Sequence, residues 1–134
     1  MLSYEATSAA PPAEVWSLLA EPKRWHEWSP HVRGAWGLGA PEVREGARGA
    51  ARLLWAVPIP AVVTEVRPGS SWSWKVGPVT LVHHVRPAAS GTGSVVGTDL
   101  VSTPALEALL RVSYGPWTGV LMKVLAKVAE RGGR

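Results

Sequence analysis

Residues 61–76 read AVVTEVRPGSSWSWKV and contain two β-type runs on either side of a turn. In the second run, Trp72, Trp74 and Val76 alternate with small or charged side chains, which is the period of a strand with one apolar face. The Pro-Gly pair between the runs is typical of a tight turn. The stretch therefore predicts a β-hairpin that places two tryptophans on one face of a sheet.

Further alternating runs lie on both sides of this hairpin, between residues 33 and 103. Turns rich in glycine, proline and serine separate them, and this succession predicts an antiparallel meander of about six strands. Pro58 and Pro60 interrupt the run before the hairpin. Because proline cannot donate to a ladder of strand hydrogen bonds, we expect a sheet edge or a turn at these positions.

Before the meander, the sequence predicts a strand and two short helices. The strand covers residues 2–9 and ends at Pro11-Pro12. Proline is tolerated in the first turn of a helix, so we expect a helix over 12–20, with Trp16 packed against the sheet. Residues 23–28 predict a second short turn or helix.

After the meander, the sequence is helical. We expect Gly115-Pro116 to separate a segment over 104–112 from a longer one over 116–131, because proline breaks or kinks a helix. The longer helix has an apolar and a basic side, and we expect the apolar side to cover the sheet. This predicted apolar stripe consists of Trp117, Val120, Leu121, Val124, Leu125 and Val128, opposite Lys123, Lys127 and Arg131.

Length and composition limit the possible classes of protein. The 134 residues fit one domain spanning 1–134. Without cysteine there is no disulfide, thiolate zinc site or cysteine nucleophile, and the four histidines show no metal-ligand spacing. We therefore predict neither a metal nor another cofactor.

The charge pattern and the termini point to a protein of the cytoplasm. A net charge of +4 arises from scattered basic residues, which argues against a nucleic-acid interface. No apolar run reaches the ~20 residues of a membrane span. The first residues lack the basic and apolar regions of a signal peptide. We expect a cytoplasmic monomer or homodimer.

The aromatic composition is unbalanced, with eight tryptophans, two tyrosines and no phenylalanine. A buried tryptophan contributes a large flat ring and also an N–H group that needs a hydrogen-bond partner. The excess is consistent with an unusual core or with the lining of a cavity.

Several segments, in this order, resemble the START-like proteins of the SRPBCC superfamily. They are APPAEVW at 10–16, RWHEWSPHV at 24–32, and VTEVRPG at 63–69 followed by WSW at 72–74. The polyketide cyclase/dehydrase and lipid-transport type is the most similar group. The resemblance implies an α+β helix-grip fold, in which a curved antiparallel sheet of about six to seven strands wraps around a long C-terminal helix, with two short helices after the first strand. It also implies a hydrophobic cavity under that helix, but no particular reaction.

In this architecture, the tryptophans converge between the sheet and the last helix. Large flat rings with few polar groups suit an apolar, aromatic or polyketide-like ligand. We expect Trp25, Trp28 and Trp36 at the entrance to the cavity. The predicted ligand-binding residues are Trp25, Trp28, Trp36, Trp55, Trp72, Trp74, Leu81, His83, Tyr114, Trp117 and Leu121.

His83 is the candidate for a polar group inside this cavity. With an ordinary pKa of ~6.5 it could pass a proton or orient a carbonyl group. The alternatives are a core histidine with its hydrogen bonds satisfied, or a register slip of one residue that puts His84 inside. Interior arginines, which aromatase/cyclase relatives use, are not evident, since alternation places four arginines on the outer face, namely Arg48, Arg52, Arg67 and Arg86.

Three functions follow as hypotheses. The first is a binder or carrier of a small hydrophobic molecule. The second is a polyketide cyclase/dehydrase-type enzyme acting on such a molecule, so whether the chain is an enzyme stays open. The third is a module that binds a lipid surface or regulates a partner through the basic side of the last helix, which would require exposed apolar residues beside it.

Overall fold

A computed structural model describes residues 2–28, 34–39, 42–52, 58–76, 79–89, 91–112 and 114–132. Seven strands form one antiparallel sheet in the order β1-β7-β6-β5-β4-β3-β2. The strands are β1 (Leu2–Ser8), β2 (Gly34–Trp36), β3 (Arg48–Arg52), β4 (Pro58–Arg67), β5 (Ser71–Val76), β6 (Val79–Pro87) and β7 (Ser94–Val101). The predicted meander and the α+β class are confirmed.

The helices are α1 (Pro12–Ala20), a 3-10 helix (Pro22–Glu27), α2 (Pro104–Val112) and α3 (Tyr114–Gly132). Proline fits the first turn of a helix, because the N–H groups there have no hydrogen-bond partner within the helix. Pro12 opens α1 as expected. Gly115 and Pro116 lie within the first turn of α3, which begins at Tyr114, so the helix is not interrupted at this pair. In the described part of the chain, no helix is long and apolar enough to cross a membrane.

Two helices cover the sheet. α3 packs mainly along β1, with further contacts to β7, α1 and α2, whereas α1 packs on β6 and β7. The packing of α1 against the sheet agrees with the prediction made from Trp16. α1 contributes because its buried side chains, Val15, Trp16, Leu18 and Leu19, form a complete apolar side.

The apolar stripe of α3 differs from the prediction. Val120 and Val124 are 48% and 37% exposed. The side chains of α3 that are buried are Thr118, Leu121, Met122, Leu125, Ala126 and Ala129. Small residues on this side let the helix approach β1 closely, and the Ser8 hydroxyl donates to the Ala126 carbonyl at 2.8 Å. Helical spacing alone does not tell which of two adjacent apolar stripes is buried.

The strand faces agree with the predicted alternation. We call the side that α1 and α3 cover the helix-covered face, and it holds the buried side chains of Trp72, Trp74, Leu81, His83 and Val85. Arg48, Arg67 and Arg86 are exposed, as predicted. The side chain of Arg52 lies outside the described part.

Pro58 and Pro60 lie at a local sheet edge. They pair with Arg52 and Ala50 of β3, whereas the pairing of β4 with β5 begins only at Ala61. β4 therefore extends past the end of β5, where a missing N–H removes no ladder bond.

Two glycines in the loop between β6 and β7 provide a test of the fold. Gly93 has φ of +80°, and an added Cβ would overlap the carbonyl oxygen of Ser8. Gly91 has φ of +83°, and a Cβ there would meet nothing within 4 Å. Gly93→Ala should lower the free energy of unfolding by at least about 3 kcal/mol, and Gly91→Ala by about 1 kcal/mol. Urea denaturation measures both, and equal costs would contradict the close approach.

Candidate functional site

Four rings on the helix-covered face are connected by ring contacts, and we call them the aromatic cluster: Trp25, Trp72, Trp74 and His83. Trp25, from the 3-10 helix, stacks on Trp72 with a centroid distance of 5.6 Å and an interplanar angle of 6°. Trp74 tilts against both, at 5.3 Å from each. The His83 ring lies 4.7 Å from that of Trp72. The hairpin at 61–76 thus places its two tryptophans together, as predicted.

The indole N–H groups of three tryptophans complete the end of α1. Trp25 and Trp72 both donate to the Leu19 carbonyl, at 3.0 and 3.1 Å. Trp28 donates to the Leu18 carbonyl at 2.9 Å. The last carbonyls of a helix lack helical donors and carry partial negative charge. Phenylalanine cannot satisfy them, so this end of α1 accounts for part of the tryptophan excess.

His83 belongs to a chain of side-chain hydrogen bonds through the core. Trp74 Nε1 donates to His83 Nε2 at 3.1 Å, and His83 Nδ1 lies 2.9 Å from Thr98 Oγ1. Because indole can only donate, Nε2 must accept and the ring proton is on Nδ1. The Thr98 hydroxyl accepts that proton's hydrogen bond and donates to Met122 Sδ at 3.4 Å. The hydrogen bonds therefore all donate in one direction, from the Trp74 indole to the Met122 thioether.

Burial, with a smaller contribution from neighbouring His84, lowers the pKa of His83 to about 3. The expectation of an ordinary pKa is therefore wrong, because a charged imidazole would lose its hydration without gaining an anionic partner. The ring is neutral at physiological pH and both its nitrogens are engaged. This geometry suits a residue that positions Trp74, rather than a proton shuttle.

The register question is resolved in favour of His83. Its side chain is 6% exposed on the helix-covered face. His84 lies on the opposite face, with Nε2 at 3.5 Å from Asp99 Oδ1. Asp99 is half-buried there, which places it away from the aromatic cluster.

The structure buries seven of the predicted ligand-binding residues: Trp25, Trp28, Trp72, Trp74, Leu81, His83 and Leu121. Placement of Trp25 and Trp28 at an open entrance is wrong, since they are only 4% and 7% exposed. Their N–H groups reach the end of α1, which draws both rings inward. Trp55 lies outside the described residues, and so do the side chains of Trp36, Tyr114 and Trp117.

Sequence reasoning missed Thr98 and Met122. Thr98 pairs with His83 across β6 and β7, so alternation in β7 could have placed its hydroxyl on the helix-covered face. Met122 gave no comparable signal. Among the described residues, no three His, Asp or Glu side chains converge as ligands of a metal ion would.

A family model described as polyketide cyclase / dehydrase and lipid transport matches residues 1–132. The chain belongs to this family. Membership in the polyketide cyclase/dehydrase and lipid-transport family confirms the resemblance seen in the sequence, over nearly the whole chain. No curated protein matches this family member.

Solved structures share the fold of this family member. Protein MLL2253 from Mesorhizobium loti has a TM-score of 0.75 at 16% identity, over 97% of this chain and 96% of its own. A protein of Thermobifida fusca has a TM-score of 0.72 at 20% identity, over 97% and 93%. DynU16, a protein in the dynemicin biosynthetic locus, gives 0.69 at 19% identity, over 98% of this chain and 48% of its own. At such identities the likeness establishes the fold alone.

Proposed function

We propose that this protein binds and carries a small hydrophobic molecule, of aromatic or polyketide-like character, between the sheet and its covering helices. The observation that carries this proposal is the aromatic cluster, which gathers three indoles and a neutral imidazole on the helix-covered face. Family membership supports the same class of ligand.

Hydrogen bonding within the cluster indicates how it would contact such a molecule. The indole N–H groups of Trp25, Trp72 and Trp74 all have acceptors within the protein. No buried side-chain nitrogen or oxygen in the described regions lacks a partner. The cluster therefore offers ring faces rather than polar atoms, and ring faces favour a flat apolar ligand.

The parallel stack of Trp25 on Trp72 supports an orientation in which a flat ring lies parallel to these two indoles. An incoming ring would stack on the cluster in the same orientation, with aliphatic contacts from Leu81 and Leu121. Trp28 and His83 would support the cluster from behind through their hydrogen bonds. The proposed ligand wall also includes Trp36, Trp55, Tyr114 and Trp117.

A cyclase/dehydrase-type enzyme is the alternative, and the description of the family favours it. The position of the structural neighbour DynU16 in the dynemicin biosynthetic locus is compatible with it. Such an enzyme needs polar groups that converge on one reacting atom. Within the described residues His83 is neutral and doubly hydrogen-bonded, so catalysis would rest on shape and on the orientation of the ligand. Unchanged turnover in His83→Gln would remove this histidine from any catalytic role.

Binding is tested by titrating the protein with a tricyclic anthraquinone and following intrinsic tryptophan fluorescence. Wild type should show saturable quenching. Trp74→Ala should raise the dissociation constant about tenfold, which corresponds to about 1.4 kcal/mol of lost contact. Trp16→Phe is the matched control, because Trp16 is a buried tryptophan that is not one of the four rings and donates to Glu42 at 3.0 Å.

The control should bind within about twofold of wild type. Circular dichroism verifies that both variants are folded, and Trp74→Phe replaces Trp74→Ala if the alanine variant is not. Absence of saturable quenching in wild type, or an unchanged dissociation constant in the cluster variant, would contradict the proposal.

A further inference from the structure

β1 is the long edge strand of the sheet, and the direction of its backbone groups follows from one turn bond. Ala88 N–H donates to the Gly93 carbonyl at 3.2 Å, so the backbone of Gly93 points towards β6. Direction alternates along a strand. Val95 and Gly97 therefore point towards β6 as well, and the β7 residues between them point towards β1.

The same alternation determines the direction of the backbone groups in β1, where Ala6 pairs with Val96 and Tyr4 pairs with Thr98. Those β1 residues bond to β7, so the backbone groups of Glu5 and Thr7 point away from the sheet. The next outward position confirms this phase, since Ala9 N–H donates to Glu130 Oε1 of α3 at 2.9 Å. One outward N–H group of this edge thus already donates a hydrogen bond to a carboxylate.

The outward groups of Glu5 and Thr7 open into a groove between β1 and α3. The groove has a volume of about 610 Å³. Its lining residues are Glu5, Ala6, Thr7, Arg86, Val95, Lys123, Ala126 and Lys127. In the described part of the chain, no acceptor lies against the N–H of either Glu5 or Thr7.

Positive charge predominates on the α3 side of this groove. Lys123 and Lys127 project from α3 on one side, and Lys127 Nζ lies 3.7 Å from Glu130 Oε2. Arg86 lies on the other side, where it bonds to Glu5 at 2.8 Å. A strand placed along β1 would direct alternate side chains to these two sides. The lysine side favours carboxylates, whereas Arg86 and Glu5 form an ion pair without net charge on the other side.

We propose that an extended acidic segment of another protein adds to β1 as an eighth strand. Exposed edges bind peptides through main-chain hydrogen bonds, with side-chain selection by the flanking surface. A second copy of this chain is disfavoured, because pairing β1 with β1 would bring the lysines of both α3 helices together. An acidic peptide with carboxylates at alternate positions meets complementary charge along α3.

The test uses three short synthetic peptides and fluorescence anisotropy. One alternates glutamate with valine, one alternates lysine with valine, and one is the acidic peptide with a central proline. Only the first should bind, since proline removes a main-chain donor. The double variant Lys123→Glu with Lys127→Glu should weaken binding at least about tenfold, a change of about 1.4 kcal/mol. Lys75→Glu is the matched control, because Lys75 is exposed on β5 outside the groove.

Amide hydrogen exchange on the wild-type protein tests the backbone contact directly. The amides of Glu5 and Thr7 should exchange rapidly in the free protein and at least about tenfold more slowly with saturating acidic peptide. Three results would each overturn the proposal: equal binding by the lysine double variant and Lys75→Glu, binding without protection of these amides, or no binding of the acidic peptide. Binding of anionic phospholipid vesicles in place of the peptide would assign the basic side of α3 to a membrane surface instead.

Discussion

Trp72→Ala should lower the free energy of unfolding by about 3–5 kcal/mol, the cost of removing a fully buried aromatic ring. The side chain is 2% exposed, stacks on Trp25 and donates to the end of α1. Its removal leaves a cavity and takes one of two donors from the Leu19 carbonyl. Urea denaturation followed by far-UV circular dichroism measures the loss.

Trp72→Phe separates these two contributions. Phenylalanine retains most of the apolar contact but has no N–H, so it should cost about 1–2 kcal/mol. Val120→Ala, at an exposed position of α3, should stay within about 0.5 kcal/mol of wild type. If Trp72→Phe were as stable as wild type, the donation to α1 would contribute nothing to stability.

The second large effect concerns pH. The folded protein holds the pKa of His83 at about 3, whereas a histidine in the unfolded chain titrates near 6.5. Between these values the unfolded chain binds one more proton at this position than the folded chain does. Stability is therefore fully present above pH ~6.5 and is lost as the pH falls, by about a factor of ten in the folding equilibrium constant for each pH unit.

The interval from pH ~6.5 to ~5 lies above the ordinary titration range of the carboxylates. The lowered pKa of Glu5, due mainly to its hydrogen bond with Arg86, affects stability only below its ordinary value of 4.5. Urea midpoints across the interval should decrease in wild type and in His84→Gln. His83→Gln should lose this dependence, because glutamine does not titrate. A wild-type stability that is constant over the interval would contradict the buried neutral state.

Local sequence patterns predicted much of the fold. Alternation in 71–76 and 79–86 identified the buried face correctly, because the period of a strand admits only two choices and the apolar residues select one. The start of α1 at Pro12 followed from the missing N–H of proline. The order of these signals along the chain predicted the α+β class with an antiparallel sheet, and the resemblance to START-like proteins implied the helix-grip fold.

Contacts that depend on tertiary packing explain which features the sequence did not predict. Nothing near Trp25 or Trp28 shows that their N–H groups meet carbonyls of α1, so they were expected at an entrance. Val120 and Leu121 both fit a helical apolar stripe, and only the packing of α3 on β1 decides between them. The pKa of His83 likewise depends on its burial, which local sequence does not give.

The bond between Trp72 and Leu19 joins residues separated by 53 positions. α1 has nine residues, a length at which an isolated helix is unstable in water. Its final turn gains a donor from β5 only after the chain has closed that long loop, which slows folding. During synthesis, Trp25 and Trp28 can reach the end of α1 early, whereas the donor from Trp72 arrives only after the middle of the sheet has emerged.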